Sequence, residues 1–406
     1  MSRVATQTAP SREKPARRTY TTLLVLVLTL TVLGLLAVYT AGSELSERSY
    51  GGNPAYLFLE QAKRAVIGVA IMLLLARVPY KVWKLAAIPG VVVAAGFLVL
   101  VALDTPLAVT VNGATRWIRL GSFQFQPSEL ARYALVLFIA WWGWLRGRDI
   151  QDLGKGFLPV LGVIVTLTAL IVWQPDFSTA AMLMAISLVL LFITGAKFWH
   201  ISSLILPGLA AAVAIVIKSP YKLDRIKVLL NPASDPTGGG YQLIQSFTGM
   251  GRGGILGVGP GGSRQKMFFL PEAHTDFIYA IIGEEFGLIG TLALLFLFLL
   301  LIYTGLKIAR RSPEPFGAYL AAGITLSVGF YALANMAVTV GVLPPTGLPL
   351  PLISYGGTSL LMTLAALGIL LNIARTVDDE PQAVPARKMN TAPKRTATPA
   401  RRRTTT

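Results

Sequence analysis

The sequence predicts an all-α polytopic membrane protein of about ten transmembrane helices, with a large extracytoplasmic loop between the seventh and the eighth. Three observations predict it. Hydrophobic residues make up 54% of the 406 residues and charged residues only 14%, where a soluble chain carries about a quarter. Apolar runs recur at the ~20 residues that cross a bilayer. The cations gather in both tails and in alternate short loops, which is the positive-inside pattern.

That distribution also excludes function classes. A net charge of +17 would suit nucleic acid, but here membrane topology places the cations, so no nucleic-acid partner is expected. The absence of cysteine excludes disulfides, a thiol nucleophile and Cys-ligated metal. His200 and His274 are the only histidines, too few for a His-rich metal site. Any metal would be a hard ion on carboxylates, and no organic cofactor is expected.

Taken in order, residues 1–18 form a basic tail with the composition of a disordered segment near an anionic leaflet. Residues 19–375 form the membrane domain. Its first span, 21–39, is not followed by a small-residue cleavage site and reads as an uncleaved anchor. Further spans fall at 57–78, 83–103, 127–145, 157–174, 178–195, 198–217, 277–306, 318–340 and 357–375. Residues 218–276 make the large outer loop, and 376–406 a second basic, disordered tail. The basic turns around Arg77 to Lys84, Arg146 to Lys155 and Lys307 to Arg311 share the cytoplasmic side with both tails. Lys63 and Arg64, at the outer start of the second span, break the rule. Such cations usually have a carboxylate partner or a job.

The chemistry-bearing motifs collect on the outer side. Leu270 to Gly287 reads L-P-E-A-H-T-D-F-I-Y-A-I-I-G-E-E-F-G and carries Glu272, His274, Asp276, Glu284 and Glu285 at the edge of an apolar helix. Ionisable groups are costly there and mark a site by default. Helix-start preference explains Glu272 equally well, but not Glu284 or Glu285, which lie more than a turn inside. On a helix from Asp276, Glu284 lies on the same side about 12 Å deeper, and Glu285 faces away.

Q-P-S-E-L-A-R opens the fourth span. Pro127 suits a first turn, and Glu129 is explained either by the helix dipole or by binding. Arg132 stands one turn inside, at a spacing that pairs it with Glu129 or holds it for an anionic ligand. Gln174-Pro175-Asp176 suits a tight turn, and Lys222 to Asn231 an amphipathic segment on the outer leaflet. Gly238 to Gly262 is glycine-rich and is followed by Ser-Arg-Gln-Lys, so that backbone N–H groups with Arg252, Arg264 and Lys266 would suit a phosphate-bearing ligand. The Pro- and Gly-rich run Leu343 to Ser359 reads as a broken or re-entrant segment. Asn335 reads as a helix–helix hydrogen bond.

The runs T-R-W-I-x-L-G, Q-P-S-E-L-A, Q-P-D, D-P-x-x-x-G-Y-Q-x-x-Q-S, L-P-E-A-H-T-D-F, I-G-E-E-x-G and L-P-L-I-S-Y-G-G-T-S resemble the SEDS family of FtsW, RodA and their sporulation relatives. The resemblance spans roughly residues 20–375 in order, and E-A-H-T-D and S-R-Q-K place it nearer the FtsW branch than the RodA branch. It implies a peptidoglycan glycosyltransferase that polymerises lipid II on the outer face of the cytoplasmic membrane. It also implies septal synthesis with a class B penicillin-binding protein and other divisome membrane proteins. The family's catalytic carboxylate falls on Asp276, and Arg116 and Glu129 match further positions. Where the family continues with Lys, this chain has Arg132, and Phe177-Ser178 replaces the frequent Leu-Gly.

The chemistry fits. An acceptor sugar hydroxyl must lose a proton to a base, and a partly desolvated Asp276 is suited to that. The leaving lipid pyrophosphate needs positive charge. Arg116, Arg132, Arg252, Arg264 and Lys266 are the pool, with Mg²⁺ or Mn²⁺ as a bridging ion and His274 alongside. A lipid II flippase and a non-catalytic scaffold for the penicillin-binding protein are the competing expectations. The outward gathering of the motifs favours the enzyme.

Overall fold

The computed structural model describes residues 18–379 apart from 112–113, 122, 219–224, 226 and 236–237. The two expected tails, up to residue 17 and from residue 380, lie outside the described residues, as do Asn112-Gly113 and the start of the 222–231 stretch.

Ten long helices occupy the ten expected segments. They are α1 (Arg18–Ser49), α2 (Tyr56–Leu75), α3 (Ala87–Ala102), α4 (Pro127–Arg146), α5 (Leu158–Trp173), α6 (Phe177–Ile193) and α7 (Phe198–Lys218). After the long loop, which holds its own helix α8 (Gly239–Gly253), come α9 (Ile278–Arg311), α10 (Pro315–Thr339) and α11 (Gly357–Asp379). Among the described residues, six helices are long and apolar enough to cross a membrane, and α6 is apolar but shorter. The chain is a multi-pass membrane protein. Two helices outside that set are instructive. α2 carries Glu60, Lys63 and Arg64, and α4 carries Glu129, Arg132 and Arg146. Glu60, Lys63 and Arg64 on α2 and Glu129 and Arg132 on α4 lie at the end where the site is built, while Arg146 closes the far end of α4.

α11 packs along α2, and α10 lies between α4 and α9. α10 and α11 are the most enclosed of the six, which puts them at the centre of the bundle. The backbone N–H of Tyr20 donates to Asp378 at 2.9 Å, so α1 begins where α11 ends, on one face.

Three expectations need correction. The loop expected at 104–126 contains a three-stranded antiparallel sheet of β1 (Ala108–Val111), β2 (Ala114–Leu120) and β3 (Phe123–Phe125). The β-branched run A-V-T-V and the Asn-Gly pair after it were hairpin signals. The first half of the glycine-rich stretch is the helix α8, not a loop. Several spans also overrun their expected ends: α1 reaches Ser49, α9 reaches Arg311, and α11 continues four residues into the expected tail, to Asp379.

Candidate active site

The glycine-rich segment and the I-G-E-E-F-G run turn out to be one construction. α9 is broken at Gly287, whose φ of 64° and ψ of −161° no helix contains. The freed backbone groups pair with the glycine segment. Val258 N donates to Glu284 O and Gly259 N to Glu285 O, both at 3.0 Å, while Leu288 N donates to Gly254 O at 2.9 Å. A broken helix at membrane depth persists only when its backbone is re-satisfied in this way. The contact tolerates no side chain. A Cβ on Gly287 would come within 2.4 Å of Ile255 O, and one on Gly257 within 2.1 Å of Glu285 O.

Glu284 locks this construction. It is fully buried and accepts from Arg252 NH1 at 2.7 Å, from Arg264 N at 3.0 Å, from Gln265 N at 3.2 Å and from Ser263 Oγ. The expected nest of backbone N–H groups therefore exists, but the anion in it is the protein's own carboxylate. Glu285 turns the other way, buried beside Thr40 of α1.

Asp276 stands two residues before α9, half-buried, in a different setting. Its backbone is held firmly. Asn335 Nδ2, on α10, donates to both Asp276 O and Leu348 O at 2.7 Å. Asn335 thus ties loop to loop, where the sequence suggested a helix–helix bond. The re-entrant run Leu343 to Gly356 closes over the same stretch. Ser354 Oγ donates to Thr275 O at 2.5 Å, and Tyr355 N to His274 O at 2.9 Å. That run dips deep: a Cβ on Gly34, midway along α1, would lie 2.1 Å from Leu352 O. Gln61 of α2 pins its end, donating to Ser354 O at 3.1 Å.

Among the described residues, charges rather than bonded donors stand around the Asp276 carboxylate. Burial, then the like charge of Glu272, push its pKa up to about 7, against the pull of Arg225, and Asp176 adds a smaller upward push. Arg225 is fixed by a 2.6 Å bond from NH1 to Pro345 O. Glu272 is tied to Thr275 Oγ1 at 2.7 Å. Burial holds the His274 imidazole below its ordinary pKa, although Glu272 pulls it upward.

The other residues singled out from the sequence divide into two sets. Arg116, on β2, reaches the Gln174–Asp176 turn, donating from Nε to Gln174 O at 3.2 Å and from NH2 to Pro175 O at 2.5 Å. Its NH1 lies 3.9 Å from Asp176, which also caps α6. The strand and the turn thus meet on the side facing Asp276. Glu129 and Arg132 instead pair with each other at 2.6 Å, both buried, with the guanidinium 3.9 Å from the ring centre of Tyr331. Arg252 is paired with Glu284, Lys266 Nζ donates to Gly261 O at 2.8 Å, and Arg264 is exposed. Among the described residues, no contact of these three reaches Asp276.

The sequence reading missed Arg225 as a neighbour of Asp276. It also left Arg64 without a job. Lys63 has its carboxylate, Glu60 at 2.7 Å. Arg64 does not. Its guanidinium lies over the Tyr355 ring at 5.3 Å, and a Cβ on Gly357 would come within 3.0 Å of its Nε. Among the described residues no group of three His, Asp or Glu side chains is placed to hold a metal ion, so the carboxylates alone do not fit one. The arrangement supplies one carboxylate whose pKa suits proton transfer near neutrality, beside Arg225, with Arg64 across Tyr355.

Comparison with known proteins identifies the family. The model of the family described as cell cycle protein, FtsW, RodA and SpoVE, matches residues 20–379. The "Probable peptidoglycan glycosyltransferase FtsW" of Trichlorobacter lovleyi is 41% identical over 352 residues, covering 87% of this chain and 92% of its own. A solved structure described as "Structural coordination of polymerization and crosslinking by a peptidoglycan synthase complex" superposes with a TM-score of 0.71 at 30% identity, over 87% of this chain and 97% of that one. The rod shape determining protein RodA of Thermus thermophilus superposes with a TM-score of 0.63 at 28% identity, over 87% and 95% of the two chains.

Proposed function

The chain belongs to the FtsW, RodA and SpoVE family, and we propose that it is a peptidoglycan glycosyltransferase of the septal, FtsW type. In this reading it polymerises lipid II on the outer face of the cytoplasmic membrane, with both termini inside. The observation that carries the reading is the placement of Asp276, whose backbone and neighbour Thr275 are held by Asn335 and Ser354 while its half-buried carboxylate stands, among the described residues, beside charges rather than bonded donors; burial and Glu272 push its pKa up to about 7.

The acceptor sugar hydroxyl lies against Asp276. Its oxygen attacks the anomeric carbon of the donor, its proton passes to the carboxylate, and the bond from that carbon to the pyrophosphate oxygen breaks. A single displacement of this kind inverts an α-linked donor to a β-linked product. A base works best with a pKa near the operating pH, which is where burial and Glu272 put this one. Charge developing on the pyrophosphate meets Arg225, which acts on the Asp276 carboxylate, and Arg64 beyond Tyr355, while Arg132 and Arg252 are engaged by Glu129 and Glu284. A divalent cation, Mg²⁺ or Mn²⁺, would add positive charge at the leaving pyrophosphate, brought with the substrate rather than held by a carboxylate cluster among the described residues. The partner is a class B penicillin-binding protein, in keeping with a structural neighbour whose description couples polymerization to crosslinking.

The test is lipid II in proteoliposomes with Mg²⁺ or Mn²⁺, with and without the co-purified partner. Wild type should yield glycan polymer. Asp276→Asn and Asp276→Ala should yield none at equal thermal stability. Equal polymer from all three would remove Asp276 from the chemistry.

A further inference from the structure

At the opposite end of α2 and α11 from Asp276 the structure holds a second concavity, polar where the bundle is otherwise apolar. Its volume is about 310 Å³, and its lining includes Arg77, Lys81, Arg375 and Asp379. Three cations thus face one carboxylate. The frame beneath them is rigid. Asn372 Oδ1 accepts from Tyr80 N at 2.8 Å, and Asn372 Nδ2 donates to Ala76 O at 2.9 Å. The cations differ in commitment. Lys81 reaches Glu314 at 3.4 Å, and Arg375 reaches Asp379 at 3.7 Å. The exposed Arg77 guanidinium bonds to none of the described residues. One turn before it, at the end of α2, the surface turns apolar, with Leu74 at 59% exposure.

A cationic cup bordered by an exposed leucine at the end of two spanning helices fits a molecule with an anionic head and a hydrocarbon body. We propose that this cavity binds the phosphodiester headgroup of an anionic phospholipid, with Arg77 as its principal contact and the acyl chains lying along the apolar face of α2 at Leu74. The guanidinium fork suits phosphate oxygens in paired contacts. Basic pockets between spanning helices hold lipid headgroups elsewhere by the same physics. Glu314 and Asp379 keep Lys81 and Arg375 in place, so a single net-negative head is matched rather than a densely charged polyanion.

The test is native mass spectrometry of the full chain released from mild detergent and titrated with phosphatidylglycerol or phosphatidylethanolamine. A third arm uses soluble glycerol phosphate as competitor. Wild type should retain one phosphatidylglycerol at least tenfold more tightly than phosphatidylethanolamine. Arg77→Gln should weaken that by about fivefold, the worth of one cation near a lipid surface, and Arg77→Lys by less. Arg148→Gln, an exposed cation on the same face, should change nothing. Thr376→Glu puts an anion into the lining and should abolish selectivity even if Arg77→Gln folds poorly. Equal loss from Arg77→Gln and Arg148→Gln would overturn the site in favour of the general charge of that face. Displacement by glycerol phosphate at lipid-like concentrations would overturn the lipid in favour of free phosphate.

Discussion

Asp276 and Glu284 lie eight residues apart at the head of α9 and are opposites. Glu284 is fully buried and has a donor for each oxygen, an arginine among them. Asp276 is half-buried, and what acts on its carboxylate is desolvation and distant charge. A carboxylate with every lone pair answered is a structural strut, and its arginine is not free for substrate. One left wanting a proton, with its backbone fixed and its side chain bonded to none of the described residues, is suited to chemistry. The difference teaches that acidity in an apolar segment is not itself the mark of a catalytic group: Glu284 is spent on internal donors, while Asp276 stays partly exposed among charges.

The widest test of this contrast exchanges the readouts. Asp276→Asn should cost about 10²- to 10⁴-fold in polymerisation rate, the usual worth of a general base, with the melting midpoint unchanged or raised. Glu284→Ala should do the reverse to the fold. It leaves Arg252 and three other donors unpaired, at about 3–5 kcal/mol, seen as a lowered midpoint and faster proteolysis near residues 254–270. If Glu284→Ala melted like wild type yet lost all polymer, the contrast would be broken. Next in size is Gly287→Ala. It forces a positive φ on a residue with a Cβ and drives that Cβ into Ile255 O. Backbone strain alone costs of order 1–3 kcal/mol, and thermal unfolding should show it without any change in the pH dependence of the rate.

Much of this was legible in the sequence, for identifiable reasons. Spans are written in hydropathy, so the ten helices fall where they are expected. The clustering of Arg116, Gln174 to Asp176 and Asp276 on one face followed from counting spans. The break in α9 was hidden because it is made of backbone. Glycines 254, 257, 259 and 287 are visible as glycines, but nothing in their spacing says that two stretches some 30 residues apart exchange main-chain hydrogen bonds. For the same reason the loop read as a phosphate nest and Arg252 as a phosphate ligand. The donors were recognised, and their internal acceptor was not. Arg225 was passed over because it sits in an ordinary alternation of cations and apolar residues. Only folding brings it to Pro345 and Asp276.

The smallest expected effect is also the sharpest, because it reads the Asp276 environment directly. A base must be ionised, so the rate under limiting substrate should rise about tenfold per pH unit up to about pH 7 and level off above it. Stability carries the opposite sign. Between the ordinary aspartate value near 4 and the raised value near 7, the folded protein holds a proton that the unfolded chain has released. Stability contributed by this group therefore falls as pH rises through that window and is flat above it. Asp276→Asn should remove this fall. Glu272→Gln takes away the second-largest cause of the shift and leaves burial, so both the rate limb and the stability limb should move together to lower pH. Arg225→Gln removes the opposing charge and should move both to higher pH. A rate limb that shifted with Glu272 while the stability limb stayed put would mean that the titrating base is another group. His274, also under the influence of Glu272, would be the first to examine.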